Sequence, residues 1–366
     1  MVDERSFAMA AKTVSKNYDS YEGTNGKDII TITAKKSARV YGMDGNDKIT
    51  VTRGTDHWVY GYDGNDTITA KKGGGFYVLS GMNGKDKITV QNGAKPGTAN
   101  HYSAIAGCAG NDTITVANKK GRYYRIEGDE GKDKITVKYG RDYEINGGSG
   151  NDTIKITGVK NFAVNQSNSN GSDDKDTITV TGGSNGTIYV TDKSKVTINS
   201  GTGHTVYGSD IGTINSSTII INGGKKLTVR DSDWGATNEA VTIRGGSGTI
   251  KLEKGTDTIS FDFKDKTKIG KWDISVSKLK KNRLTVLNAA SKDFTWKRDV
   301  DRWGLGNAYV TPGSDCWILT HSKTKKSIIL SGWGENDTKT FDIYFAKDNK
   351  LVSSVPNKTD WKKLGL

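Results

Sequence analysis

Eight aspartates recur along the first half of the chain: Asp28, Asp47, Asp66, Asp86, Asp112, Asp133, Asp152 and Asp176. They are spaced by 19, 19, 20, 26, 21, 19 and 24 residues. Each is the sixth residue of a glycine-opened turn and precedes a short apolar run, as in GMDGNDKIT from Gly42, GYDGNDTIT from Gly61 and GCAGNDTIT from Gly107. One carboxylate per turn, among glycines that let carbonyls turn inward, is a donor set for a hard divalent cation such as Ca²⁺, which takes six to eight oxygens. The same residue has a plainer use, accepting backbone N–H bonds and closing its own turn. Stacked turns would hold the carboxylates about 5 Å apart, where like charges repel. Lys27, Lys48, Lys85, Lys87, Lys132 and Lys134 flank them and offer partial neutralisation without metal.

The elements that must position these turns are strands. After each turn comes KITV (48–51), TITA (67–70), KITV (87–90) or TITV (113–116), alternating apolar and polar residues as a strand with one buried face does. A second run, such as HWVYG at 57–61 or YRIEG at 124–128, precedes the next turn. Two strands and two turns in about 19 residues make one coil of a flattened parallel solenoid. Stacking then buries Ile49, Ile68, Ile88, Ile114 and Ile135 as one column that no single coil could bury alone.

This run of motifs resembles the RTX (repeats-in-toxin) family, whose nonapeptide is GGxGxDxUx with U a large apolar residue. The resemblance covers residues 20–185. It implies a β-roll with Ca²⁺ between successive turns, held by the motif aspartates and backbone carbonyls. Carried onto this chain, the metal ligands are Asp28, Asp47, Asp66, Asp86, Asp112, Asp133 and Asp152. Asp176 fits less well, because Asp174 replaces the fourth-position glycine. Three features depart from the family. The second glycine is replaced by Met43, Tyr62, Met82 and Cys108, each coil carries one motif instead of two, and the chain is basic rather than acidic. With one motif per coil, ions would line a single edge.

The opposite turns carry Lys35, Lys36, Arg53, Lys71, Lys72, Lys95, Lys119, Lys120, Arg122, Lys138 and Arg141. In register they form a basic ladder. It suits an anionic polymer, such as a cell-surface polysaccharide, with Lys71, Lys72, Lys119, Lys120 and Arg122 as the candidate contacts. Alternatively it is a solvated edge that discourages aggregation. The chain as a whole has 54 basic and 41 acidic residues, a net charge of +13. The threonines at 31, 50, 69, 89, 115, 136 and 179 form an outward column suited to a strand's solvent face.

Composition narrows the remaining classes. Glycine contributes 46 of 366 residues, which disfavours long helices, while only 3 prolines argue against a proline-rich stalk. The two cysteines, Cys108 and Cys316, form neither a disulfide framework nor a metal knuckle. No apolar stretch is long enough to span a membrane as a helix. Residues 264–366 hold six of the eight tryptophans: Trp272, Trp296, Trp303, Trp317, Trp333 and Trp361. Their alternating strands resemble the module that seals RTX arrays, with the tryptophans in its core. His57 and His101 are expected at the surface, and no catalytic pair is evident.

The expected fold is all-β: a parallel β-roll or β-solenoid with a β-rich C-terminal capping module. Its expected parts are an N-terminal leader at 1–20, the RTX-like roll at 21–185, degenerate coils at 186–263 and the cap at 264–366. The expected function is calcium binding by a non-enzymatic surface, adhesive or matrix protein, or by the repeat part of a larger secreted one. It would act outside the cell or on its surface, without an N-terminal signal peptide, after type I export. Two alternatives stand beside it. One is a lyase or epimerase acting on acidic polysaccharide, and the other is a metal-free solenoid that self-associates.

Overall fold

The computed structural model describes residues 10–94, 102–164, 174–190, 193–208, 217–230, 239–252, 258–265, 268–276, 283–299, 315–325, 327–333 and 342–353. The protein is a parallel β-solenoid, with no α-helix among the described residues. It divides into two compact units, Met1–Thr187 and Ile188–Leu366.

In the first unit the strands that follow the motif turns form one parallel sheet. They include Asp28–Ile32, Lys48–Val51, Thr67–Ala70, Lys87–Val90, Thr113–Ala117, Lys134–Lys138, Thr153–Thr157 and Thr177–Thr181. The strands that precede the turns form the second, from Ser20–Glu22 through His57–Asp63 and Arg122–Glu130 to Lys160–Val164. Registers are in phase: Ile49 pairs with Ile68, Ile68 with Ile88, Ile88 with Ile114 and Ile114 with Ile135. The expected isoleucine column is therefore real, and every member is fully buried. Each such side chain contributes about 1.5–3 kcal/mol by leaving water.

The interior also holds an aromatic stack absent from the sequence reading. Phe76 lies 5.7 Å from Tyr124, and Tyr124 lies 5.3 Å from Tyr143, ring centroid to centroid. The small Ser103 pairs with Tyr124 in register and leaves room for the first of these contacts. His57 is buried, not at the surface as expected. Its Nδ1 accepts the Ala38 N–H at 3.0 Å and its Nε2 lies 3.0 Å from the Arg53 carbonyl, so the ring plugs a corner between coils. His101 lies outside the described residues.

In the second unit the parallel strands include Lys195–Ile198, Ser217–Ile221, Glu239–Ile243, Thr258–Asp262 and Arg283–Leu287 in one sheet. Each sheet ends in antiparallel pairing. Asp342–Phe345 pairs with Lys350–Ser353, and Asp315–His321 lies between Ser327–Trp333 and Phe294–Asp299. Trp272 is a fully buried core residue. Trp296, Trp317 and Trp333 lie on the antiparallel strands, while Trp303 and Trp361 lie outside the described residues.

Candidate functional site

Strand alternation decides where the motif aspartates point. Asp47, Ile49 and Val51 share one parity, and all three are buried, whereas Lys48 between them is exposed. The same holds for Asp86 and Lys87, and for Asp133 and Lys134. The carboxylates therefore enter the body at the corner of each coil, and the flanking lysines face solvent. Neutralisation of the column by these lysines does not follow from this arrangement. The signal was present in the sequence, since each aspartate stands two residues before a buried isoleucine.

Each carboxylate is tied to the coil before it. The N–H of Asp28 donates to Asp47 Oδ1 at 2.7 Å, and the pattern repeats from Asp47 to Asp66, Asp66 to Asp86, Asp86 to Asp112, Asp112 to Asp133 and Asp133 to Asp152, all at 2.7 Å. Asp152 N–H donates to Asp176 Oδ1 at 2.6 Å, so Asp176 joins the column despite its altered turn. The capping role is real, but the aspartates from Asp47 to Asp176 cap across coils. Fifth-position asparagines add a parallel ladder on the exposed side, as where the Asn65 N–H donates to Asn46 Oδ1 at 2.7 Å.

The second carboxylate oxygen is different. Oδ2 of Asp47, Asp66, Asp86, Asp112, Asp133 and Asp152 is buried and has no hydrogen-bond partner. Asp28, on the first coil of this run, has its Oδ2 satisfied by the Thr24 N–H at 2.6 Å. The orphan oxygens lie against the first glycine of each motif. A Cβ built on Gly42 would overlap Asp47 Oδ2 and the Gly61 carbonyl oxygen; one on Gly107 would overlap Asp112 Oδ2 and come within 2.7 Å of the Gly128 carbonyl oxygen. Gly61 and Gly128 repeat the arrangement. The first glycine thus keeps open a cradle in which a carboxylate oxygen and a carbonyl oxygen of the next coil come together, both of them acceptors.

The turn that builds the cradle has two left-handed positions. The fourth residue is glycine with φ between 115° and 140° from Gly45 to Gly150. A side chain there would strike the preceding coil's backbone, as on Gly110, whose added Cβ would overlap the Gly84 carbonyl oxygen. The second residue has φ of 75° at Met43 and 77° at Tyr62, Met82 and Cys108. Side chains are accommodated there at a cost of roughly 1–2 kcal/mol each. Cys108 is a free thiol.

Burial raises the pKa values of the column. Desolvation pushes Asp47, Asp86, Asp133 and Asp152 up to about 7, and Asp66 and Asp176 to about 6. Asp112 is raised as well. The N–H bonds pull each of them back, and for most of them neighbouring aspartates push further upward. Among the described residues no cluster of three or more His, Cys, Asp or Glu side chains gathers at one point. A cation here would take most of its oxygens from backbone carbonyls. Hard Ca²⁺ accepts such a set, and the paired acceptors fit it.

The candidate polyanion contacts fall elsewhere. Lys71, Lys72, Lys119 and Lys120 are exposed in turns leaving the first sheet, and Arg122 is exposed at the start of a second-sheet strand. Arg122 pairs in register with Arg141, and Arg141 with Lys160, so the cationic row is longer than the sequence suggested. Lys119 sits over the Tyr139 ring at 5.5 Å. No helix among the described residues is long and apolar enough to cross a membrane. No known protein family matches the chain, and neither a curated protein nor a solved structure does.

Proposed function

We propose that the first unit is a calcium-stabilised β-roll of the RTX type, serving as a rigid, non-enzymatic scaffold. The observation that carries this reading is the run of six buried Oδ2 atoms, each beside a glycine cradle and without a donor. A buried acceptor left unpaired costs roughly 1–3 kcal/mol, and a charged one more. Six in succession call for a shared positive partner. Asp47, Asp66, Asp86, Asp112, Asp133 and Asp152 would hold the ions, with first-glycine carbonyls beside Asp47, Asp66, Asp112 and Asp133. Calcium would supply charge neutralisation and cross-link adjacent coils. Metal binding would then be folding free energy. In an exported surface or matrix protein this would keep the chain loose where calcium is scarce and rigid where it is plentiful.

A second reading rests on the Oδ1 ladder. Those bonds and the backbone bonds between turns, such as Gly45 N–H to Asp63 O at 2.8 Å, stitch the coils without metal. In it the column is protonated and the solenoid is a metal-free scaffold. The deciding experiment is far-UV circular dichroism of chelator-treated protein at pH 8 during a Ca²⁺ titration, with Mg²⁺ as control. A cooperative gain of β signal with Ca²⁺ alone supports the calcium scaffold. Full β signal in chelator, unmoved by Ca²⁺, overturns it in favour of the second reading.

A further inference from the structure

We propose that the outer face of the first sheet, within the first unit, binds a linear acidic polysaccharide laid across its strands. Three outward columns make this face. The first runs Lys48, Thr67, Lys87, Thr113, Lys134, Thr153 in register. The second runs Thr31, Thr50, Thr69, Thr89, Thr115, Thr136, Lys155. The third, towards the basic turns, includes Lys71, Gln91, Ala117 and Lys138. Lys48, Lys71, Lys87, Lys134, Lys138 and Lys155 are exposed, and among the described residues none has an ion-pair partner. No outward position of these columns is Asp or Glu.

This is not the pattern of a face made only for solubility, which mixes both signs. The second sheet of the same unit does mix them: Arg125 pairs with Glu144 at 3.0 Å, and Arg141 lies 3.5 Å from Asp142. Nor do these lysines protect a sheet edge, since they lie on interior strands.

Charge spacing selects the partner. In the first column an ammonium recurs every second strand, about 9.6 Å at ordinary strand spacing. Duplex DNA presents a charge every ~1.7 Å, far denser than this row. Single-stranded nucleic acid is held by aromatic stacking, and the three columns carry no aromatic side chain. A sulfated glycan whose charge pattern repeats every second sugar is commensurate with this row, and its hydroxyls suit a threonine ladder. The basic turn at Lys71, Lys72, Lys119 and Lys120 would extend the site along one side. The proposal does not rest on the calcium reading, because the lysines face away from the aspartate column.

The test is biolayer interferometry of the full chain, in calcium-containing buffer, on immobilised heparin and chondroitin sulfate. Neutral dextran, a single-stranded oligonucleotide and phosphatidylserine vesicles are run alongside. The expected result is binding to a sulfated glycan and not to dextran. The triple variant Lys48→Gln, Lys87→Gln, Lys134→Gln should weaken it about tenfold, given three exposed charge contacts. Arg125→Gln, on the opposite face and paired there with Glu144, should leave it unchanged. Circular dichroism checks that both variants keep the parent's β signal. Unchanged glycan binding by the triple variant would overturn the proposal. So would equal weakening by the opposite-face variant, or tighter binding to oligonucleotide or vesicles than to either glycan.

Discussion

The two units turn the same kind of corner with different chemistry. In the first, the residue two places before the first buried Ile after each motif turn is an aspartate: Asp47 before Ile49, Asp112 before Ile114. In the second, that place is taken by Ser194 before Val196, Ser217 before Ile219 and Glu239 before Val241, all buried. Parallel pairing continues through those strands, Ser217 lying opposite Glu239. A serine is thus enough to build the corner. The carboxylate column of the first unit is more than the backbone geometry requires, and its orphan oxygens are costlier to bury than the neutral Ser217 hydroxyl, which is also buried without a partner. That surplus points to a ligand.

Hydrogen exchange followed segment by segment sharpens this contrast most. With Ca²⁺ well above its dissociation constant, amides of Thr113–Ala117 should exchange about a hundredfold more slowly than in chelator, while those of Ser217–Ile221 should not change. Equal slowing in both units, or none in either, would erase the distinction.

The metal-free protein should show the contrast as a pH dependence. Asp47, Asp86, Asp133 and Asp152 titrate at about 7 when folded, against an ordinary value of 3.8. Between these values the folded state binds more protons than the unfolded one, so stability is greatest at low pH and falls as pH rises towards 7. Above about pH 8 the loss is complete. In chelator the first unit should therefore melt roughly 5–10 °C lower at pH 8 than at pH 5, a shift of several kcal/mol. Ca²⁺, which binds the deprotonated form, should remove or reverse that slope. A flat profile in chelator would mean that the column carries no desolvated charge.

Much of this was legible in the sequence, for a physical reason. A solenoid repeats one set of constraints, so the nine-residue motif, the paired strands and the isoleucine column from Ile49 to Ile135 could be read from spacing alone. The direction of the aspartates was legible too, but only by counting parity back from the isoleucines instead of treating the turn as a separate edge. Other features lie beyond a local pattern. His57 is buried because its ring bonds a backbone N–H 19 residues away, and Phe76 meets Tyr124 only because Ser103 intervenes. The role of the first glycine depends on the carbonyl of the next coil, which no single motif displays.

Reciprocal substitutions test the comparison at single residues, with the smallest expected effects. Asp66→Asn or Asp112→Asn retains the Oδ1 that accepts the N–H of Asp47 or Asp86 and replaces the orphan oxygen with an amide donor facing the Gly81 or Gly128 carbonyl. In chelator at pH 8 each should raise stability by roughly 1–3 kcal/mol, because an unsatisfied buried acceptor is removed. In calcium each should lower it, because a charged ligand is lost. The converse, Ser217→Asp, brings a carboxylate opposite Glu239 and should destabilise the second unit in either buffer. Thermal melts of the three variants with and without Ca²⁺ give six shifts whose signs are fixed in advance. If the asparagine variants lose stability in chelator, the orphan oxygens are already satisfied by bound protons, and the metal-free scaffold becomes the better account of the column.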